Sequence, residues 1–248
     1  MATRTFCVRY RDRSAYIMEN ELEQLNPGCL LSDSMIEFFT YRAAVLHRDK
    51  RSLFHVLSPL LFTKLNDTGC TDIEDRSLRR HYCNVDFDSV KKWYDENDLF
   101  SCPYLIIPVN LNRHWVLTVV CHANALRSCI LIFDSCADGG CTHDTIASKL
   151  RSWLSCATHH LRDVVKSFNS RNCPAVSIEI EQQENDFDCG VYTIRCCEYF
   201  LEMVDDLVCF HAYDACERDE INEMFRSAVF NPSEFRERLK REVKIAFE

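Results

Sequence analysis

The sequence contains little glycine and proline and no excess of basic residues. Its 248 residues include 5 glycines and 6 prolines, so we expect no long flexible linker. Lys and Arg number 29 against 38 Asp and Glu, and the net charge is −9. Because a nucleic-acid-binding surface carries a basic footprint, this balance predicts no nucleic-acid partner. With 47% apolar residues, the composition is that of a globular protein.

Long apolar runs are also missing. None approaches the ~20 residues that a helix needs to span a bilayer. The first residues, MATRTFCVRYRDRSAY, lack the apolar core of a signal peptide. We therefore expect no membrane partner and an intracellular, reducing environment. In such an environment most of the 16 cysteines are expected to be buried thiols rather than disulfides.

The spacing of the cysteines does not favour a zinc site. No Cys-x-x-Cys pair occurs in the chain. Cys136, Cys141 and His143 lie close together in sequence but lack a convincing fourth ligand. We therefore expect neither a metal nor a cofactor.

The apolar pattern predicts a central group of strands with helices around it. Four short segments rich in β-branched and apolar residues are predicted strands: Tyr104–Val109, Trp115–Cys121, Cys129–Phe133 and Ala175–Ile180. Apolar residues at helical spacing predict helices at Leu31–Tyr41, Phe87–Leu99, Asp144–Phe168, Cys189–Val204 and Ser233–Phe247, with a short helix after Pro59. This order favours an α+β fold with a central, mostly antiparallel or mixed sheet flanked by helices. We expect a single domain over residues 1–248, with a flexible N terminus at 1–14.

The stretch EQQENDFDCG places Cys189 between a predicted strand and a predicted helix. A cysteine in the first turn of a helix feels the positive end of the helix dipole, which favours the reactive thiolate. Gly190 beside it has no Cβ, so backbone or substrate can approach closely. These features make Cys189 a candidate nucleophile.

A thiol nucleophile needs a base, and the base needs a group that orients it. His114 stands where the apolar strand Trp115–Cys121 begins, and Asp134 follows the strand Cys129–Phe133. If these strands form an antiparallel hairpin, the start of the first lies beside the end of the second. The sequence therefore predicts a contact between His114 and Asp134.

Gln183 lies in the loop that leads to Cys189. Its side-chain amide and the backbone N–H of Cys189 can both point at an oxyanion that forms near the sulfur. Together with the base and the carboxylate, these groups fit acyl transfer through a thioester.

The order of these residues resembles the Ulp/sentrin family of cysteine proteases. The matching strings are His114-Trp115, Asp134-Ser135 and Gln183-x-Asn185-x-x-Asp188-Cys189-Gly190. The resemblance covers most of the chain, and the segment YLIIPVNLNRHWVLTVVC is most similar to the branch that acts on poly-SUMO chains. It implies a papain-like (Ulp-type) fold and a monomeric, nuclear or cytoplasmic thiol protease that removes SUMO or a related ubiquitin-like modifier.

The resemblance also implies a role for each residue of the site. It makes Cys189 the nucleophile, His114 the general base and Asp134 the group that orients the base. Gln183 belongs to the oxyanion hole.

For substrate binding, the resemblance implies that Trp115 roofs a narrow tunnel for the modifier's Gly-Gly tail. It implies that Asp33 contacts the folded modifier through an arginine. Leu30 stands where the family usually has an aromatic residue, and Ser32 where it has asparagine, so the second wall of the tunnel differs. Asp186 replaces a glycine and must avoid a glycine-only conformation or accept strain.

Four other functions fit the sequence less well. The enzyme could act on a different ubiquitin-like modifier. YopJ-type acetyltransferases share a His, an acid and a Cys in the same chain order. They depend on separate cofactor-binding segments, however, and this sequence has no extra segment large enough for that role. An inactive modifier-binding module is disfavoured because all four site residues are intact, and a zinc-stabilised scaffold lacks ligands.

Overall fold

The computed structural model describes residues 4–67, 73–75, 80–82, 99–136, 143–162, 166–207 and 215–246. The strands within these ranges are β1 (Thr5–Tyr10), β2 (Arg13–Met18), β3 (Phe54–Val56), β4 (Ile73–Asp75), β5 (Arg80–Tyr82), β6 (Tyr104–Leu111), β7 (His114–Cys121), β8 (Cys129–Phe133) and β9 (Ala175–Ile178). The helices are α1 (Asp33–Leu46), α2 (Pro59–Asp67), α3 (His143–Arg162), α4 (Cys189–Glu202), α5 (Val204–Leu207), α6 (Ala215–Arg226) and α7 (Pro232–Ala246).

A mixed five-stranded sheet forms the centre of the fold, in the order β3-β6-β7-β8-β9. The three inner strands are antiparallel to one another, and each edge strand is parallel to its neighbour. The register pairs Leu111 with His114 across the β6–β7 turn and Leu117 with Phe133 across the next pair. The predicted α+β class with a mixed central sheet is confirmed.

Helices cover both faces of this sheet. Because successive strand residues point to opposite faces, β7 sends Leu117 to one apolar cluster and Val116 to the other. Helices α1, α4 and α7 pack in the first cluster, and α2 and α3 pack in the second. The inner strands are therefore buried on both sides, which explains their nearly unbroken apolar runs.

The N terminus differs from the expected flexible segment at residues 1–14. From Thr5 onward it forms the hairpin β1–β2, which pairs Thr5 with Met18 and packs on α1. In the turn of this hairpin Arg11 has a φ of 54°, a backbone conformation that residues other than glycine rarely adopt. Bonds from the Arg11 guanidinium to the carbonyls of Arg51 and Phe54 stabilise the turn.

The predicted helices within the described residues are present with different ends, whereas α5 and α6 were not predicted. The helix expected at Asp144–Phe168 ends at Arg162, and the one expected at Cys189–Val204 ends at Glu202. The helix predicted at Phe87–Leu99 lies, apart from Leu99, outside the described residues. Among the helices that the structure describes, none combines the length and the apolar character that a membrane span requires.

Candidate active site

Helix α4 begins at Cys189, with Asp188 as its N-cap residue. The side chain of Asp188 makes no capping hydrogen bond, but its carbonyl accepts from the backbone N–H groups of Val191 and Tyr192. Cys189 therefore lies in the first helical turn, at the positive end of the helix dipole.

Gly190 lies against the segment that precedes α1. A Cβ at Gly190 would be 3.1 Å from Leu31 Cβ and 3.2 Å from Ile36 Cδ1. Contacts at that distance are tighter than ordinary van der Waals packing. The glycine therefore allows the N terminus of α4 to approach the segment that contains Leu31.

His114 is presented by a tight turn between β6 and β7. Asn112 and Arg113 have positive φ values of 54° and 66°, as a two-residue turn of the type I′ class requires. His114 is the first residue of β7, and the rest of this strand, from Trp115 onward, is buried. The imidazole is therefore held at the edge of the core, where it can face both the interior and a substrate.

The structure brings His114, Asp134 and Cys189 together. His114 Nε2 lies 2.6 Å from Asp134 Oδ1, across the ends of β7 and β8. The Cys189 thiol lies close enough to the His114 ring to raise its pKa. Because Nε2 is occupied by Asp134, Nδ1 is the ring nitrogen left for the sulfur.

These contacts change the charge states of the base and the acid. Burial lowers the pKa of His114, but hydrogen bonding with Asp134 and Cys189 outweighs burial and raises the pKa to about 10. Burial raises the pKa of Asp134, but its bonds to His114, His143 and the Cys136 N–H hold this pKa well below its usual range. The site therefore favours an ionised carboxylate beside a charged imidazolium.

The thiol of Cys189 is almost covered in this conformation. The residue is 2% exposed and contacts the apolar cluster under α4. The side chain of His114 is 17% exposed. Only a small part of Cys189 is therefore accessible from solvent.

Gln183 is held in the loop that leads to α4. Its side-chain oxygen accepts from Ser135 Oγ at 2.7 Å, and its side-chain nitrogen donates to the carbonyl of Asn185. An amide nitrogen carries two N–H donors. The second N–H of Gln183 is thus available for a further acceptor, such as an oxyanion.

His143 is a residue of this site that the sequence did not identify as one. Its Nε2 lies 2.8 Å from Asp134 Oδ2, and its Nδ1 lies 3.0 Å from Ser177 Oγ. Asp134 therefore has one histidine on each carboxylate oxygen. The sequence had grouped His143 with Cys136 and Cys141 as a weak zinc candidate; Cys141 lies outside the described residues.

The three residues expected to bind substrate surround the start of α1. Asp33 is the first residue of α1, and its Oδ1 is buried without a hydrogen-bond partner among the described residues. Burial raises the pKa of Asp33, against a hydrogen bond from Asn110. Leu30 is 38% exposed, and Trp115 is 2% exposed with its Nε1 donating to the Leu31 carbonyl at 2.9 Å. Trp115 therefore supports the segment on which Leu30 is displayed.

Two of the unusual positions are accommodated without strain. Asp186 is not among the described non-glycine residues with positive φ, so it avoids the conformation that favours glycine. Ser32 is the N-cap residue of α1, and its backbone N–H is held by Gln24 Oε1 at 2.8 Å. The loop before α4 and the start of α1 therefore tolerate the replacements.

Known proteins are similar to this chain over most of its length. The Ulp1 protease family, C-terminal catalytic domain, matches residues 30–233. A curated relative, the probable ubiquitin-like-specific protease 2B of Arabidopsis thaliana, is 29% identical over 203 residues, which cover 75% of this chain and 21% of the relative. The chain spans between 20% and 34% of the length of the first curated relatives that it matches.

Solved structures share the fold. A structure described as a de-sumoylating protease superposes with a TM-score of 0.73 and 22% identity, covering 97% of this chain and 90% of that one. The C-terminal Ulp1 protease domain in complex with Smt3, the yeast ortholog of SUMO, gives a TM-score of 0.54 and 20% identity, with coverage of 90% and 87%. The family match extends over most of this chain and includes every residue of the site. The chain belongs to the Ulp1 protease family and contains its C-terminal catalytic domain.

Proposed function

We propose that this chain is a thiol protease that cleaves after the C-terminal Gly-Gly of SUMO, or of a related ubiquitin-like modifier, and so releases the modifier from lysine side chains. The observation that carries the proposal is the triad of Asp134, His114 and Cys189, in which Cys189 is the first residue of α4. Membership of a protease family supports an amide as the bond that is cleaved. The complex of a Ulp1 domain with Smt3 supports a SUMO-like modifier as the substrate.

The first step forms a thioester. The proton of the Cys189 thiol is held by His114 as the imidazolium, and the thiolate attacks the carbonyl carbon of the modifier's last glycine. The carbonyl electron pair moves to oxygen, where the backbone N–H of Cys189 and the free side-chain N–H of Gln183 donate to it. His114 then gives its proton to the lysine nitrogen, the C–N bond breaks and the amine leaves.

The second step returns the enzyme to its starting state. Water attacks the thioester carbonyl while His114 accepts a proton from it, and the C–S bond breaks. The modifier leaves as a carboxylic acid that loses its proton to solvent, and Cys189 is again a thiolate beside the imidazolium. Asp134 keeps the ring oriented and stabilises its charged form throughout.

The surroundings of the thiol fit a substrate that ends in glycines. The approach to Cys189 is narrow, since the residue is 2% exposed. A glycine tail can enter such a passage because it has no side chain to clash with the walls. We assign these walls to Leu30 and Trp115. Asp33, with its buried and unpaired Oδ1, suits a cationic side chain of the modifier, most simply an arginine.

We propose in addition that residues 1–248 form one domain that acts as a monomer in the nucleus or cytoplasm, without cofactor, nucleic-acid or membrane partner. Support for one domain comes from the single central sheet, both faces of which are covered by helices from the two ends of the chain. The net charge of −9 disfavours nucleic acid. The mechanism above needs no group besides side chains, backbone and water.

The test uses a panel of modifiers, each carrying a thiol-reactive group at its C terminus. We expect a covalent adduct with SUMO, and cleavage of SUMO from a lysine-linked conjugate, both abolished by Cys189→Ala. Cys7→Ser, which changes an exposed thiol on β1, serves as the matched control and should leave both unchanged.

Other results would change the proposal in defined ways. Reaction with a different modifier alone would reassign the substrate and keep the mechanism. Binding of SUMO without adduct or cleavage would identify an inactive module. Acetyl transfer from acetyl-CoA without any adduct would replace the protease by an acetyltransferase.

A further inference from the structure

Arg236, near the start of α7, is 1% exposed and carries its charge into the core. Its Nε donates to Asp188 Oδ1 at 2.9 Å. Its Nη groups donate to four backbone carbonyls, those of Gln24 (2.9 Å), Asn26 (3.4 Å), Cys29 (3.0 Å) and Phe187 (3.2 Å). A buried charge is costly unless its donors are bonded and its charge is paired, and here both conditions are met.

The acceptors of Arg236 belong to the two segments that meet at the thiol. Phe187 and Asp188 directly precede the proposed nucleophile Cys189. The three carbonyls of the other segment, within residues 24–29, lead into the residues proposed to face the substrate. The guanidinium fork therefore fixes the distance between the nucleophile side and the substrate side of the site.

The packing around Gly190 leaves little room for the start of α4 to move relative to the segment before α1. Leu31 Cβ lies 3.1 Å from the position that a Cβ on Gly190 would take. The carbonyl of Leu31 in turn accepts from Trp115 Nε1 at 2.9 Å. A shift of either segment would thus move the thiol relative to β7, which carries His114.

Arg236 also controls the charge next to the nucleophile. The carboxylate of Asp188, one residue before Cys189, does not cap the helix. Its oxygens are bonded instead to Arg236 and, at 2.8 Å, to Asn185 Nδ2. An uncompensated carboxylate at this place would oppose the helix dipole and disfavour a thiolate.

We propose that Arg236 is a positioning residue for the reaction at Cys189, which it serves in two ways. Its planar fork holds residues 24–29 and the start of α4 at the separation that lets the thiol meet His114. Its charge neutralises Asp188 and so preserves the tendency of the helix N terminus to favour the thiolate. The proposal rests on the proposed role of Cys189 as nucleophile. Arg236 itself lies beyond residues 30–233, the part matched to the family.

The test separates the fork from the charge with three variants of the full chain. Arg236→Met removes both, Arg236→Lys keeps the charge without the fork, and Arg236→Met combined with Asp188→Asn removes the two opposite charges together. Arg238→Met is the matched control, because Arg238 is also on α7 and also pairs with α4, but at Glu198. Two readouts are needed: the pH dependence of iodoacetamide alkylation at Cys189, followed by peptide mass spectrometry, and kcat on the modifier substrate.

We expect Arg236→Met to move the midpoint of the alkylation profile up by about one pH unit and to lower kcat by about 100-fold. The double variant should return the midpoint to that of the parent chain while kcat stays low. Arg236→Lys should keep the midpoint and lose kcat, since an ammonium cannot replace the fork. A purely structural role would instead lower the melting temperature and the active fraction without moving the midpoint.

Two results would overturn the proposal. One is an Arg236→Met protein that folds and keeps the alkylation midpoint of the parent chain. If Arg236→Met does not fold, the double variant with Asp188→Asn decides instead, and an alkylation midpoint more than one pH unit from that of the parent would overturn the proposal. The other is an Arg236→Lys protein with parental kcat. Alkylation requires no modifier, so a parent chain that is alkylated normally but cleaves no modifier would contradict the proposed function and leave the Arg236 result intact.

Discussion

Replacing Asp134 by asparagine keeps the shape of the side chain but removes its charge. The Asp134 side chain is 2% exposed and accepts from His114 at 2.6 Å and from His143 at 2.8 Å, as well as from the backbone N–H of Cys136. An asparagine offers one accepting oxygen and one donating nitrogen. It can therefore satisfy one histidine with a neutral bond, and its N–H₂ group faces the other.

The size of the effect follows from the bond that is lost. A hydrogen bond to a charged group contributes about 1.5–3 kcal/mol, and each 1.36 kcal/mol corresponds to a tenfold change in rate. We therefore expect kcat/KM to fall about 10- to 150-fold in Asp134→Asn.

The pH profile should change as well. Burial lowers the pKa of His114, whereas the hydrogen bonds with Asp134 and Cys189 raise it to about 10. Without the carboxylate the raising effect weakens, so the imidazolium loses its proton at lower pH. The alkaline limb of the kcat/KM profile should move to lower pH.

The assay is the hydrolysis of a modifier fused to a fluorescent leaving group, followed over a range of pH. Asp144→Asn is the matched control, because it removes one exposed carboxylate from the start of α3 and changes the net charge equally. A rate for Asp134→Asn within twofold of the parent, with an unmoved alkaline limb, would refute the reasoning.

Three further changes test other parts of the site. Gly190→Ala places a Cβ 3.1 Å from that of Leu31. Because overpacking costs about 1–3 kcal/mol, the melting temperature should fall by about 2–10 °C. An unchanged melting temperature would contradict the close packing. His143→Gln replaces the ring donor to the Asp134 carboxylate by an amide donor and leaves the bonds from His114 and the Cys136 N–H in place, so kcat/KM should fall only about 2- to 10-fold with KM unchanged. Steady-state kinetics decide, and an effect on KM alone would argue for substrate contact instead. Asp33→Asn should raise KM for the modifier about tenfold while alkylation of Cys189 stays the same; equal KM values would remove Asp33 from the binding surface.

Local sequence patterns were sufficient for the centre of the fold. The runs of β-branched and apolar residues predicted β6, β7 and β8, because strands buried on both faces have few polar positions. Their antiparallel order then predicted that His114 and Asp134 meet, and the two side chains do so at 2.6 Å. Membership of the family is confirmed, whereas the catalytic roles of the individual residues stay predictions.

The hairpin β1–β2 was missed because its sequence carries no standard turn signal. A two-residue turn usually contains Asn-Gly or Asp-Gly, but here Arg11 takes the positive φ of 54°. Its guanidinium bonds to Arg51 and Phe54, about forty residues away in the chain, stabilise that conformation. A conformation that depends on distant acceptors cannot be read from the local pattern.

Long-range polar contacts explain the other omissions. In the sequence, Arg236 is one of several charged residues of an amphipathic helix, and its burial depends on carbonyls more than 200 positions earlier. His143 resembles a surface histidine until α3 brings it to Asp134. Neither contact leaves a signature in spacing or hydropathy.

The charged state of the imidazole can be measured directly by following the ring nitrogens of His114 by NMR through a pH titration. The structure predicts that this ring titrates far above the ordinary histidine value of about 6.5, because a carboxylate and a thiol both hydrogen bond to it. Because Cys189 is one of the groups that raise the pKa of His114, Cys189→Ala should lower the midpoint of the ring. A midpoint near the ordinary value that Cys189→Ala leaves unchanged would contradict a Cys189–His114 ion pair and, with it, the thiol protease mechanism.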